Sequence, residues 1–586
     1  MAAGPSFGRD PYRRTARRDG AGGRGRGTGR GLTRPPHHRE SGFMQTRFLL
    51  ATALLTAGIG GVAAPATAGT VADLAAYARA RAAEADGAID VATRDYAAAL
   101  AGAAGDPLVA LPAFREAIRA GDDSLADRAA SVLAAHDALP ADAALLAVAD
   151  AARARDPRAE LAAIARVERG QLHVFAPSLR AWAKLESGGD PLASLSSPAA
   201  AKDNVTRRFA AETRALIMLA TRSPAQGVAA LRPLLGNDQA GLDNRIAGAR
   251  LLLARGELVA ARDLLAGEAP ALIALRNRLD DPAVVRAAGA RGSLAFGASH
   301  LFVRVASDLA LGPPNPLSYM LVRAALRADP GNDRARLLLA GLLSKDGATD
   351  RAIAELATIR SDSIYYRNAL AGRVQLLANS GRGPDAIALA RTLAEAPDAT
   401  IDDIRRLADL YMGEENAVAA APLYRALIDR RGAAADGLDW LQYGAALDRA
   451  GHWPAAREAL ERAVALAPMD AMTLNYLGYG LVEHGERLDV ARAMLEKAAR
   501  LKPDDPAIAD SLGWAYFRLG EAMRALPLIE AAATTDPGNA EIGEHLGDVY
   551  WRAGRRFEAR YAWNAARSVA TGAAATRLDG KIADGL

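Results

Sequence analysis

The chain has 586 residues, 51% hydrophobic but only 5% aromatic, so its apolar content is mostly Ala, Leu and Val, which suits long packed helices. It contains no cysteine, which excludes disulfides, a thiol nucleophile and a lipid-modified cysteine. The formal charge of +4 is unevenly held: residues 1–43 carry ten Arg against Asp10, Asp19 and Glu40, Arg47 adds one, and the remainder is net −4.

The segment GAGGRGRGTGRG cannot bury a core. Residues 1–43 read as a disordered leader or as sequence upstream of the true start, and Phe7 and Tyr12 are too few aromatics for an RNA-stacking tail. From Met44 the chain reads MQTRFLLATALLTAGIGGVAAPATAGT: one Arg, an apolar stretch from Phe48 to Leu55, then Ala66-Thr67-Ala68. That order is a secretory signal peptide over residues 44–68. The stretch from Gly58 to Gly61 makes a poor spanning helix, which needs about 20 predominantly apolar residues. The expectation is a mature chain from Gly69, periplasmic or elsewhere in the cell envelope, with no integral span after cleavage.

Residues 69–332 carry a helical pattern without a strict period, and no run of Val, Ile or Thr alternates as a strand would. Gly105, Ala110, Phe114 and Ala117 fit one hairpin and Gly248, Leu251, Ala260 and Leu264 fit another more loosely. Gly188-Gly189-Asp190-Pro191 and Gly312-Pro313-Pro314-Asn315-Pro316 mark longer loops. This region reads as divergent helical hairpins, either continuing the array that follows or forming a separate all-helical domain.

From residue 333 a ruler appears. Leu512, Gly513, Tyr516, Gly520, Ala525 and Ala532 are followed, 34 residues later each time, by Leu546, Gly547, Tyr550, Gly554, Ala559 and Ala566. The same spacing predicts repeat starts near 333, 367, 401, 437, 471, 506 and 540, with one extra residue after Gly485. Gly513 and Ala525 remove bulk where two antiparallel helices cross, Gly520 can end the first helix in the left-handed conformation, and Asp536-Pro537-Gly538-Asn539 is a turn leaving Asn539 to cap the next helix. One such hairpin exposes apolar surface on both sides, so seven in a row over residues 333–572 should stack as an all-α solenoid. Residues 573–586 read as a short polar cap.

No constellation for catalysis stands out. His136, His173, His300, His452, His484 and His545 are isolated, no phosphate-binding GxxxxGK[ST] and no GxSxG occur, and Gly580-Lys581 lacks the loop's first glycine. Glu186-Ser187, at the end of a helix, faintly resembles the catalytic pair of lytic transglycosylases, but helical repeats follow where that domain's further motifs belong. The reading is no enzyme, no metal, no cofactor, no nucleic-acid partner and no small-molecule substrate.

Within each repeat a second stripe of the first helix is not used for packing the hairpin. It carries Asp510, Trp514, Phe517 and Arg518, with Asn475, Tyr479, Val482 and Glu483 before them and Glu544, Asp548, Trp551 and Arg552 after. Stacking should bring Tyr479, Trp514, Phe517 and Trp551 into one aromatic strip with charged borders. Aromatic and Arg side chains make good binding anchors. The plain alternative is that they fill space between adjacent first helices.

The period and these motifs resemble the tetratricopeptide repeat, which implies a right-handed α-solenoid of helix-turn-helix units whose stripe faces a concave groove. TLNYLGYGLVEHGERLDVA, IADSLGWAYFRLG and EHLGDVYWRAGRR also resemble exported proteobacterial tetratricopeptide proteins, some of them outer-membrane lipoprotein adaptors of carboxyl-terminal processing proteases. The resemblance covers roughly the last 290 residues, and the lipid-bearing cysteine is missing. It implies a non-enzymatic adaptor that binds a protein or peptide, such as a periplasmic protease and its substrates. The alternatives are a structural part of an envelope secretion or polysaccharide-export assembly, or a peptidoglycan-active enzyme.

Overall fold

The computed structural model describes residues 71–196 and 203–586, so the leader and signal-peptide expectations for residues 1–68 lie outside the described residues. Among the described residues every regular element is a helix and there is no strand; the chain is an all-α solenoid. None of its helices is long and apolar enough to cross a membrane. The described residues form two compact units, 71–382 and 383–586.

In the first unit antiparallel hairpins follow one another, from Val71–Ala85 with Ile89–Gly102 to Asp333–Lys345 with Thr349–Ala357. Four of its helices begin the same way. Asp106, Asp156, Asp190 and Asp281 each accept the backbone N–H two residues on, and a proline follows each at the first helical position, where its missing N–H leaves nothing unpaired. The unit also folds back on itself. Helix Pro316–Ala328 packs on Ala144–Ala154 and Pro107–Ala120. Arg323 donates to the carbonyls of Ile118 and Arg119, both at 3.0 Å, and so satisfies the open C-terminal end of Pro107–Ala120 from 205 residues away in sequence. Arg327 reaches Asp123 and Asp150, and Arg119 pairs with Asp346 at 2.9 Å. Period reading could not show this closure, because it rests on single arginines rather than on a repeat.

In the second unit the first helices are Ile401–Gly413, Gly437–Arg449, Ala471–Glu483, Pro506–Arg518 and Ala540–Arg552. Each is paired antiparallel with the helix after it. The glycine of each Leu-Gly pair is there for space. A Cβ on Gly513 would sit 2.4 Å from Ile529, and one on Gly547 would sit 2.1 Å from Trp563. The one-residue insertion after Gly485 is absorbed by Arg487, which adopts φ +47° where a glycine would be at ease. Residues read as a short polar cap form a 13-residue helix, Gly572–Asp584, with Leu578 fully buried.

Candidate functional site: the first-helix face of residues 471–584

The stripe singled out from sequence is assembled by three consecutive first helices and the C-terminal helix. Their starts are fixed locally. Asp505 accepts from the N–H groups of Ala507 and Ile508, and Asn539 from those of Glu541 and Ile542, so both helices begin one repeat apart in the same register.

Much of the stripe is interior. Tyr479, Asp510, Trp514, Glu544 and Asp548 are all less than a tenth exposed, Asn475, Phe517 and Trp551 are half-buried, and Arg518 and Arg552 are exposed. The Trp514 ring is stacked between two others, on His545 at 3.9 Å and 12° and on Phe517 at 4.9 Å and 18°. Its Nε1 donates to Glu483 at 2.6 Å. Tyr479 reaches two repeats ahead and donates its hydroxyl to Glu541. Trp551 takes a different place from the rest of the strip: its ring meets Trp563 at 5.3 Å, with the guanidinium of Arg556 over it at 4.0 Å.

The residue missing from the predicted stripe is His545, which a linear search leaves as an isolated histidine. Its Nδ1 lies 2.9 Å from Asp510 Oδ2, and both side chains are under a tenth exposed. Burial alone would lower its pKa, but the charge and hydrogen bond of Asp510, with Glu541 and Glu483 nearby, outweigh burial and raise it to about 9. At neutral pH the imidazolium therefore donates to Asp510. Burial pushes the Glu541 carboxyl up, against the pull of His545 and the hydrogen bond from Tyr479.

The C-terminal helix continues this pattern. Lys581 pairs with Glu544 at 2.8 Å and with Asp548 at 2.6 Å, and Arg577 pairs with Glu544 at 3.1 Å. Trp563 Nε1 also donates to Asp548 at 2.9 Å. Burial works against a charged Glu544, yet the hydrogen bonds from Arg577 and Lys581 together hold it below its ordinary range. For Asp548 burial prevails over Lys581 and raises it. Asp548, read as a border of the strip, and Glu544 of the same stripe are thus already engaged by two cations of the chain itself.

Four of these acid–base pairs share one spacing. Arg405 meets Asp439, 34 residues on; Asp510 meets His545, 35 on; Glu544 meets Arg577 and Asp548 meets Lys581, each 33 on. An acid and a base one repeat apart become neighbours when first helices stack, so the repeat length itself would have found His545, Arg577 and Lys581.

The pair Glu186-Ser187 has a structural use. Glu186 accepts the N–H of Leu294 at 2.9 Å, where helix Leu294–Leu309 begins, and Ser187 donates back to the carbonyl of Ala183 at 3.0 Å. Among the described residues no group of His, Asp and Glu is arranged to hold a metal ion.

Residues 407–568 match one tetratricopeptide repeat family model and residues 319–363 match another. No curated protein matches the chain. Solved structures similar to it include MamA of Desulfovibrio magneticus RS-1, with 18% identity over 29% of this chain and 94% of that one at a TM-score of 0.25. MamA of MSR-1 shows 22% identity over 31% of this chain and 98% of that one, TM-score 0.24, and MamA of AMB-1 shows 24% over 28% and 96%, TM-score 0.24. The chain carries tetratricopeptide repeats, an architecture that serves protein–protein interaction.

Proposed function

We propose that the chain is a non-enzymatic adaptor of the cell envelope that holds a protein or peptide partner against the first-helix face of residues 471–584. The observation that carries this reading is the couple Phe517-Arg518 and its equivalent Trp551-Arg552. In each, a half-buried aromatic is followed in sequence by an exposed arginine, at the same repeat position 34 residues apart. Behind them Tyr479, Trp514 and His545 are locked by stacking and hydrogen bonds. Anchors held in place this way lose little freedom on binding, which is what a recognition surface needs.

In this reading Trp514 and Tyr479 support the surface and Phe517, Arg518, Trp551 and Arg552 touch the partner. Envelope location rests on the signal-like segment from Met44 to Ala68, and N-terminal sequencing of the native protein should find Gly69 first. The partner class follows from the resemblance to exported adaptors: a periplasmic processing protease together with its substrates.

The test uses the full chain and a triple variant, Phe517→Ala, Arg518→Ala and Arg552→Ala, as baits on envelope extract, followed by binding measurements with the purified candidate. Loss of at least tenfold in affinity, measured well below the melting temperature with the helical circular dichroism signal retained, supports the surface. Equal affinity of the variant overturns it.

A further inference from the structure

The outer face of the last complete hairpin is apolar where a solvated face would be polar. Phe557 and Tyr561 of helix Arg556–Arg567 are 82% and 74% exposed. Four residues apart, they lie on one stripe of the helix, which Ala565 and Ser568, both exposed, continue. One repeat earlier the same two places hold Met523, 75% exposed, and Pro527. A repeat before that, Asp489 ends the apolar run. Side chains exposed to this degree stand proud of their neighbours, so the feature is a ridge and not a groove.

Positive charge gathers along one edge of the ridge. Arg560, three residues on from Phe557 and so beside it on the helix, and Arg556, one turn before Arg560, lie over the Trp551 ring at 5.1 Å and 4.0 Å. Arg560 also donates to the Ile582 carbonyl at 3.0 Å. Neither arginine has a carboxylate partner among the described residues, whereas Arg524, Arg555 and Arg567 of the same two hairpins pair with Glu521, Glu530 and Asp579. Residues 550–586 hold seven Lys and Arg against three Asp and Glu, in a chain whose residues 48–549 are net negative.

We propose that this ridge seats on an anionic lipid surface, with Met523, Phe557 and Tyr561 in the interfacial layer and Arg556 and Arg560 on headgroup phosphates. Aromatic side chains favour the headgroup level, and a helix lying flat there is held by its buried apolar area together with cations on anionic lipid. A guanidinium matches a phosphate by parallel hydrogen bonds, and two guanidinium groups here carry no carboxylate already. The shape and the charge exclude other occupants. A peptide needs walls, which a ridge does not supply, and a second copy of the chain seated ridge to ridge about a two-fold axis would set the same unpaired cations against each other. A bilayer both takes in protruding side chains and supplies the phosphates. The ridge shares no residue with the surface of Phe517, Arg518, Trp551 and Arg552, so this inference and the adaptor reading fail separately.

Because the chain has no cysteine, Ala565→Cys gives a single attachment point on the ridge for an environment-sensitive fluorophore, and Ala433→Cys, in the exposed turn Gly432–Ala434, gives a control far along the array. The full chain, labelled at one place or the other, is titrated with vesicles of phosphatidylcholine alone and of phosphatidylcholine with phosphatidylglycerol. On the anionic vesicles the label at 565 should brighten and shift to the blue, and the label at 433 should not change. Attachment through the ten arginines of residues 1–43 would bring both labels to the vesicle without burying either. Phe557→Ser with Tyr561→Ser, at places too exposed for the fold to depend on them, should raise the lipid needed for half the response at least tenfold with the helical circular dichroism signal retained. Arg556→Gln should raise it about fivefold, the effect of one basic residue at an anionic surface. No response at 565, an equal response on neutral vesicles, an unaltered titration of the double variant, or the same response to poly-L-glutamate in place of vesicles, the mark of an acidic protein partner, would each overturn the proposal.

Discussion

A tryptophan and a histidine carry much of the second unit's interior electrostatics. Trp514 is clamped on both faces, donates to Glu483 and is 9% exposed. Trp514→Ala should therefore lower stability by about 3–5 kcal/mol, the usual cost of truncating a large aromatic in a core, read from urea melts of residues 383–586. Phe517→Ala, at a half-buried place, should cost clearly less, and equal losses would put both in the core. His545 adds a pH signature. Its folded pKa of about 9 lies above the ordinary 6.5, so the stability it contributes is complete below about pH 6.5 and is lost as pH rises through 9. Wild type should lose stability between pH 6.5 and 9.5 and Asp510→Asn, without the partner that raises the pKa, should lose much less over that window. Parallel losses in the two proteins would mean that the pair does not titrate there.

Among elements, the C-terminal helix Gly572–Asp584 does what a next first helix would do. It buries Leu578 and sets Arg577 and Lys581 against Glu544 and Asp548. An array end otherwise presents an unmatched apolar and charged face, which solenoids close with an atypical final element. Ending the chain at residue 571 would leave Glu544 without its two cations and Asp548 with Trp563 alone, and a charge deprived of its partner in a poorly solvated place is costly. Lys581→Ala and Asp548→Ala, combined in a double-mutant cycle, should show a coupling of about 1–3 kcal/mol; additive effects would make the 2.6 Å pair a surface ornament. How far this was legible differs by residue. The 34-residue spacing of Leu512-Gly513 and Leu546-Gly547 set the hairpins, and first helices do begin at Asp333, Ile401, Gly437, Ala471, Pro506 and Ala540. The burial of Trp514 is the space-filling alternative, and the sequence leaves it open, because helix periodicity gives a residue's face but not how closely the neighbouring helix covers it. His545 could have been found, since it stands one repeat after Asp510. Glu541 could not, because Tyr479 reaches it across two repeats, and that depends on how tightly successive first helices curl.

At the scale of the molecule the two units are built on different kinds of contact, and they should melt differently. In residues 383–586 each hairpin packs mainly on its neighbours, and the cations meet acids one repeat away. Stability in such an array is a sum of local terms, so it can fray from one end. In residues 71–382 helix Pro316–Ala328 closes on Pro107–Ala120 and Ala144–Ala154, and Arg351 ties the far hairpin to Asp90 at 2.8 Å and to the Ala120 carbonyl at 2.9 Å. Contacts of that sequence separation are made or lost together, which is the condition for an all-or-none transition. Each unit, expressed alone, should fold to a helical protein. Deleting residues 540–586 from the second should leave the remaining hairpins helical with a modestly lower melting temperature. Deleting residues 71–135 from the first should unfold most of it, because Arg323 and Arg351 then lose the helix ends they satisfy. Arg323→Ala isolates the cause: two charge-assisted hydrogen bonds to Ile118 and Arg119 disappear and two helix-end carbonyls are left buried, for an expected loss of about 2–4 kcal/mol. Denaturant melts of the two fragments and of this variant, followed by circular dichroism, decide the matter. A 71–382 fragment that tolerates the N-terminal deletion as well as the repeat array tolerates loss of its last hairpin would show that its long-range arginine contacts do not bind the unit into one cooperative body.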